Sequence, residues 1–171
     1  RDTLKQALIF AQTGHLCLST LHANNSYHAL NRIVNFFPYD ARQSVLSDLA
    51  MCLRAVISQR LIRGSSGKLL PAVEILLNTS LIADLIKNDE IEKIRDAIGQ
   101  SVSPGSQTFE QALYKMFKAG RIPREEALRN ADSASNLSSL LDFSQTTRMK
   151  TFDPSDPQAN GKPAQTTTSF G

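Results

Sequence analysis

The stretch that decides the fold is Thr13-Gly14-His15-Leu16-Cys17-Leu18-Ser19-Thr20-Leu21-His22. Upstream of it, Leu4, Ala7, Leu8 and Ala11 recur at helical spacing, and Gly14 stops that helix. Residues 15–22 then hold Leu16, Leu18 and Leu21 in a compact run, a length that suits a buried strand better than a helix. Ser19, Thr20 and His22 gather at its C-terminal end, and His15 stands at its start. In α/β sheets the carboxyl ends of strands face the ligand crevice. Imidazole N–H and hydroxyl groups placed there have the chemistry to hydrogen-bond phosphate oxygens and to register a γ-phosphate. The competing reading is that His15 and His22 cap the strand and pair with backbone. His28, on the following helix, reads as a surface or packing residue.

Working outward, Asn24, Asn25 and Ser26 offer caps for a helix carrying Ala29, Leu30, Ile33, Val34 and Phe37, which Pro38 ends. Asp40 is placed to cap the next helix. Its stripe of Val45, Leu49, Cys52, Leu53, Val56 and Ile57 predicts a run to about Ile62, broken at Gly64-Ser65-Ser66-Gly67. Lys68 to Leu77, KLLPAVEILL, reads as a strand or an extended pair, with Pro71 confining it to an edge or a bulge. Thr79 and Ser80 cap a short helix through Lys87, and Asp89 caps another through Ile98. After the loop SVSPGS, a helix carries Phe109, Ala112, Leu113, Met116 and Phe117 and closes at Gly120. Pro123 opens a further helix, with Glu125 and Glu126 near its positive end. From about Ser144 the chain is rich in Thr, Ser, Pro, Gln and Gly and too poor in apolar residues to offset its ordering entropy, so residues 144–171 read as a disordered polar tail. The class is α/β, a strand-containing first third followed by a helical remainder.

Composition narrows the partners. Hydrophobic residues make up 41% and charged residues 20% of the 171, as in ordinary globular domains. The net charge of +3 is scattered among acids, with no basic face interleaved with aromatics, so nucleic acid is not indicated. A weak attraction to an anionic membrane or an acidic partner is compatible with it. Cys17 and Cys52 both lie in apolar patterns and read as buried reduced thiols, with a disulfide as the competing reading; neither has a His or Cys at metal-ligand spacing, so no metal is assigned to them. No apolar run reaches the ~18 residues of a membrane span, and no secretory leader is visible, so a cytoplasmic protein is expected. The Arg1 start, entering a periodic helix almost at once, reads as a fragment.

TGHLCLSTLHANNS resembles the His-box of the secretion-type ATPases, the family of pilus assembly, pilus retraction and type II secretion motors. The opening Arg1-Asp2 is similar to the end of that family's Walker B region, one helix before the His-box. ALNRIVNFFP resembles the helix and proline that follow it, and AVISQRLIR the family's long helix with its Gln-Arg-Leu pattern. LLPAVEILLNTSLIADLIKNDEIEKI is similar to the retraction ATPases, and SPGSQTFEQALYKMFKAGRI to their closing segment. The resemblance covers residues 1 to about 130. It implies that residues 1–78 are the C-terminal part of a RecA-like P-loop ATPase core and that 79–143 form a helical subdomain. It further implies ATP and Mg²⁺ as cofactors, held mainly by segments upstream, a homo-oligomer of six subunits, a paralogous retraction ATPase as partner, and an inner-membrane pilus platform protein at which the motor sits peripherally.

The resemblance also assigns roles. His22 contacts the γ-phosphate region, and His15 helps shape the site; these two are the catalytic candidates. Thr20, Arg32, Arg60 and Asp2 are the cofactor-binding candidates: Thr20 supports the loop, Arg60 belongs to a coupling network near it, Arg32 makes a charged contact at the nucleotide or subunit face, and Asp2 assists a Mg²⁺-linked network. For Arg32 and Arg60 a surface ion pair is the competing reading, and for Asp2 a helix cap. The phosphate-cradling GxxxxGK[ST] loop is absent, since residues 64–68 read GSSGK, and the family's catalytic Glu falls before residue 1. This chain by itself is therefore expected to be inactive. Leu81 to Lys87, LIADLIK, departs from the AIRNLIR stretch of PilT-kind ATPases and, with the tail, points to the PilU-like branch. A four-cysteine zinc module usual in extension motors is missing. The alternative function is a non-catalytic helical module that docks on a partner ATPase or platform protein through Leu113, Met116 and Phe117, a stripe that otherwise belongs in a core.

Overall fold

The computed structural model describes residues 2–101 and 103–149, with 143–149 described by backbone. The first helix, α1 (Asp2–Gln12), stops where Gly14 adopts φ +90°, the left-handed region open to glycine at low cost. The turn is closed by the His15 N–H, which donates to the Phe10 carbonyl at 3.1 Å.

The strand expected at residues 15–22 does not form. This segment is extended but carries no ladder, and Leu16 and Leu18 are 81% and 88% exposed. A strand is stable only when a neighbouring strand takes up its N–H and C=O groups, and no strand among the described residues pairs with it. Cys17 is exposed and Cys52 half-buried, both as free thiols, so neither is the buried thiol the pattern suggested.

α2 (Ser26–Asn35) is capped by Asn25, whose Oδ1 accepts from the His28 N–H at 2.9 Å. It buries Ala29, Leu30, Ile33 and Val34 on one face. α3 (Tyr39–Cys52) begins after Pro38, which occupies the N-cap position; Asp40 lies in the first turn, where its charge meets the positive helix end, and is not the cap.

The helix predicted through Ile62 ends ten residues early. Asn78 donates from Nδ2 to the carbonyls of Ala50 and Leu53, both at 2.9 Å, and so takes up helix-end acceptors. Beyond it the Gln-Arg-Leu pattern lies on a strand, β1 (Ala55–Arg63), paired antiparallel with β2 (Leu69–Leu77). Val56 and Ile57 continue the helical spacing of Leu49, Cys52 and Leu53, while Val56 and Ile62 also fit the inward face of an alternating strand. Pairing with β2 decides between the two, because it satisfies both backbones. Pro71 sits opposite Leu61 in this two-stranded sheet, where every strand is an edge.

The hairpin is followed by α4 (Ser80–Lys87), capped by Thr79, a 3-10 turn at Ile91–Lys93, and α5 (Ile94–Gly99). Asp89 does not cap it: the residue takes φ +57° at the turn between the two helices. α6 (Phe109–Lys118) opens on a capping box in which Thr108 and Gln111 satisfy each other's backbone N–H groups. α7 (Arg124–Arg129) and α8 (Ala134–Met149) complete the described residues. The helical backbone thus passes the boundary at 144, and the rest of the expected tail, residues 150–171, lies outside the described residues.

Two apolar clusters divide the interior. One joins α2, α3, α4 and α5 with Leu76; the other joins Ile62 and Ala72 of the hairpin with α6, Ile122, Ala127 and α8. Leu113 and Met116 are buried in the second cluster and Phe117 packs against it, so the stripe offered for docking is core. No helix among the described residues is long and apolar enough to cross a membrane.

The packing predicts a graded response in urea denaturation. Leu30→Ala, at a fully buried site, is expected to lower stability by about 2–5 kcal/mol. Asn78→Ala strips a donor from two helix-end carbonyls and is expected to cost about 1–3 kcal/mol. An Asn78 variant as stable as the parent would show that the α3 terminus does not depend on this cap.

Candidate functional site

The segment after His22 turns sharply into α2, and this turn builds a polar cleft of about 370 Å³ lined by His22, Ala23, Asn24, His28, Asn31, Arg32 and Asn35. One wall is a single helix face, because 28, 31, 32 and 35 follow the i, i+3, i+4, i+7 spacing of one side of α2. The opposite side of α2 holds Leu30, Ile33 and Val34 in the core, so the polar face is fixed toward the cleft. Arg32 reaches back across it, its Nη1 donating to the His22 carbonyl at 3.4 Å, and its guanidinium lies 6.0 Å from the Phe36 ring centroid. The lining offers imidazole and amide donors and one guanidinium, and no carboxylate. That donor set suits phosphate oxygens; it does not suit Mg²⁺, which seeks carboxylate and other hard oxygens.

Of the residues singled out in the sequence, His22 and Arg32 come together in this cleft, and His15, Thr20, Asp2 and Arg60 do not line it. His15 is exposed at the far end of the extended segment, its Nδ1 3.0 Å from the Thr13 hydroxyl and its ring edge-on to Phe10. Thr20 is exposed on the same segment, and Asp2 lies in the first turn of α1. His28, read as a surface or packing residue, is exposed and lines the cleft beside Asn31 and Asn35. Sequence reasoning missed Asn31 and Asn35. Their signal was there: four polar side chains at one helical spacing, opposite an apolar face.

Arg60 sits behind the cleft. On β1 it points inward, stacks its guanidinium 3.9 Å from the centroid of the fully buried Phe109 ring, and ion-pairs with Asp132. The same guanidinium donates to the carbonyls of Asn130 at 2.8 Å and Asn24 at 3.2 Å, which excludes the surface ion-pair reading. Asn24 is two residues beyond His22, so Arg60 meets the His22 turn from its back.

Beside it, Glu74 on β2 is buried, and its Oε1 accepts from the Ser26 backbone N–H at 2.8 Å and the Ser26 hydroxyl at 2.7 Å. Burial pushes its carboxyl above the usual glutamate range, the two Ser26 hydrogen bonds pull it down, and the nearby Asp132 and Glu110 charges raise it further. The inward residues of the hairpin therefore run apolar, polar, apolar: Val56 and Leu76 join one cluster, Ile62 and Ala72 the other, and Ser58, Glu74 and Arg60 form the layer between.

Comparison with known proteins places the chain in a family. The model of the type II/IV secretion system protein family matches residues 1–119. The chain belongs to that family. Within it, the chain is 46% identical over 142 residues to the type IV pilus ATPase PilU of Pseudomonas aeruginosa, spanning 82% of this chain and 37% of PilU. Identity to the type IV pilus retraction ATPase PilT of the same organism is 36%, over 79% of this chain and 39% of PilT. A crystal structure of the pilus retraction motor PilT with bound ADP superposes with a TM-score of 0.72 at 32% identity, over 81% of this chain and 38% of PilT. This secretion-family chain thus spans less than two fifths of the length of these relatives, and its α/β architecture is that of the corresponding part of PilT. The PilT/PilU-like reading from residues 13–22 and 81–87 is correct at the level of the family.

Glu74 yields a pH prediction. Because its folded pKa lies above the unfolded value, the folded state binds the proton more tightly, and stability falls as pH rises from the ordinary glutamate range through the folded pKa. Gln at this position keeps an oxygen for both Ser26 donors and removes the buried charge. Glu74→Gln is expected to match the parent at acid pH and to exceed it at neutral pH, read as the difference in thermal midpoint between pH 4 and pH 8 on the order of a few degrees. A Gln variant less stable than the parent at neutral pH would overturn the assignment.

Proposed function

We propose that the intact protein is an ATP-hydrolysing, homo-oligomeric motor of six subunits that powers type IV pilus retraction and twitching motility, and that this chain supplies its phosphate-sensing and coupling part. The observation that carries the reading is the convergence of His22 and Arg32 on one carboxylate-free polar cleft. Its family setting, with ATPases PilU and PilT as relatives and a PilT structure holding ADP, supports nucleotide as the ligand.

In this reading residues 1–78 complete a RecA-like core, 79–143 form the helical subdomain, and 144–171 the polar tail. Bound ATP supplies the phosphoanhydride bond, and Mg²⁺, the phosphate loop and the catalytic Glu belong to the part of the relatives' length that this chain does not span. What the chain's own residues contribute is electrostatic. His22 and Arg32 present donors to the oxygens of the terminal phosphate, and such pre-placed donors act where negative charge accumulates during phosphoryl transfer. His15 and Thr20 shape and support the extended segment that carries His22, Arg60 holds the turn behind it, and Asp2 contributes to the Mg²⁺-linked network from α1. The motor works at the cytoplasmic side of the inner membrane, alongside a paralogous retraction ATPase and against the pilus platform protein. PilU-like identity and the LIADLIK stretch favour the accessory branch.

The test is ATP turnover by the intact protein. His22→Ala is expected to lower kcat by about 10²- to 10³-fold, the scale of losing one pre-placed donor. Arg32→Ala is expected to raise KM for ATP. Unchanged turnover and unchanged nucleotide affinity in both variants would remove the sensor role.

A further inference from the structure

Three consecutive residues of the turn that follows His22 are each held by a group from elsewhere in the chain. The Asn24 carbonyl accepts from Arg60 Nη2 at 3.2 Å, Asn25 Nδ2 donates to Asp132 Oδ2 at 2.9 Å, and the Ser26 N–H and hydroxyl donate to Glu74. Asp132 is central to this set, although it lies 107 residues from Asn25. Its Oδ1 takes Arg60 while its Oδ2 takes Asn25, so one carboxylate bridges the hairpin and the cap of α2. Asn25 is divided in the same way, with Oδ1 capping the His28 N–H and Nδ2 committed to Asp132.

Asp132 is itself well anchored. It stands in the short link between α7 and α8, where the Asn130 carbonyl accepts from Arg60 at 2.8 Å and the Ser133 N–H donates to Glu110 Oε1 on α6 at 2.8 Å. Its side chain and that of Arg60 are 15% and 21% exposed, so bulk water screens the pair only partly. A displacement of the α7–α8 link relative to the hairpin must therefore break these bonds or drag Asn24 and Asn25 with it. Those residues lead directly into the cleft, where Arg32 donates to the His22 carbonyl.

We propose that Asp132 is a positioning residue for His22: through Arg60 and Asn25 it fixes the 24–26 turn, and so ties the geometry of the phosphate-facing cleft to the seating of the C-terminal helices α7 and α8. Asp132 is not among the residues that line the cleft. The link to turnover rests on the nucleotide reading of His22; the positioning itself does not.

The experiment compares the intact protein with Asp132→Asn and with Leu141→Ala, which empties a fully buried position of α8 in the second apolar cluster. Hydrogen exchange is followed at the amides of His28 and Ala29, both of which donate to Asn25. Asp132→Asn is expected to accelerate these two amides by about tenfold or more, through local opening. Leu141→Ala is expected to lower the thermal midpoint and leave them at the rate its global stability sets. Asp132→Glu, which keeps the charge, is expected to restore most of the protection, and it serves as the comparison if the Asn variant does not fold. In turnover assays, Asp132→Asn is expected to lower kcat, and the double variant with His22→Ala to lose no more than His22→Ala alone, as for residues acting through one another. Protection at His28 and Ala29 equal to the parent in Asp132→Asn, or equally lost in Leu141→Ala, overturns the proposal. Lost protection with unaltered turnover in both the Asp132 and His22 variants leaves the positioning in place and overturns the nucleotide reading.

Discussion

The guanidinium of Arg60 is the interaction on which the arrangement depends. It stacks on Phe109 at the heart of one apolar cluster and spends its donors on Asp132, Asn130 and Asn24, groups from the two ends of the described chain. An ion pair of this kind adds little net stability, since desolvation offsets much of the attraction, but removing one partner leaves a charge that the interior does not tolerate. Its effect here is to specify register: the turn after His22, the hairpin and the α7–α8 link fit together in one way. Glu74 has a related character, with a buried carboxyl that accepts from two donors of Ser26.

This polar layer explains the division of the interior. An apolar sheet face would let the helices on it slide, because hydrophobic contact is not directional. Ser58, Glu74 and Arg60 interrupt that face midway along the hairpin, so the α2–α5 cluster and the α6–α8 cluster each meet a separate apolar patch. The cleft beside His22 lies at the α2 edge of this layer and is joined to it by the hydrogen bonds of Asn24, Asn25 and Ser26. A site built in this way is placed by its supporting hydrogen bonds as much as by its own residues.

The helices were largely legible in the sequence. Leu30, Ile33 and Val34 announced α2, Thr79 the cap of α4, and the positive φ of Gly14 and Gly120 falls where the periodicities end. The strand expected at 15–22 and the helix expected through Ile62 fail for one cause. Residues 15–22 have the composition of a strand but no described neighbour to pair with, and residues 55–63 have the spacing of a helix but a partner in 69–77. Strand formation is a non-local event, so local pattern misjudges it in both directions.

What the sequence by itself determined is the family, the polar character of the His22 segment and the helical remainder, because motif and periodicity are written in neighbouring residues. Only the tertiary structure decided that His22 meets Arg32, His28, Asn31 and Asn35 in one cleft, that Arg60 stands behind it, and that Asp132 bridges the turn from 107 residues away. The physical reason is that hydrogen bonds and ion pairs across a fold depend on distance and angle in space, and a sequence lists the donors and acceptors without saying which ones meet.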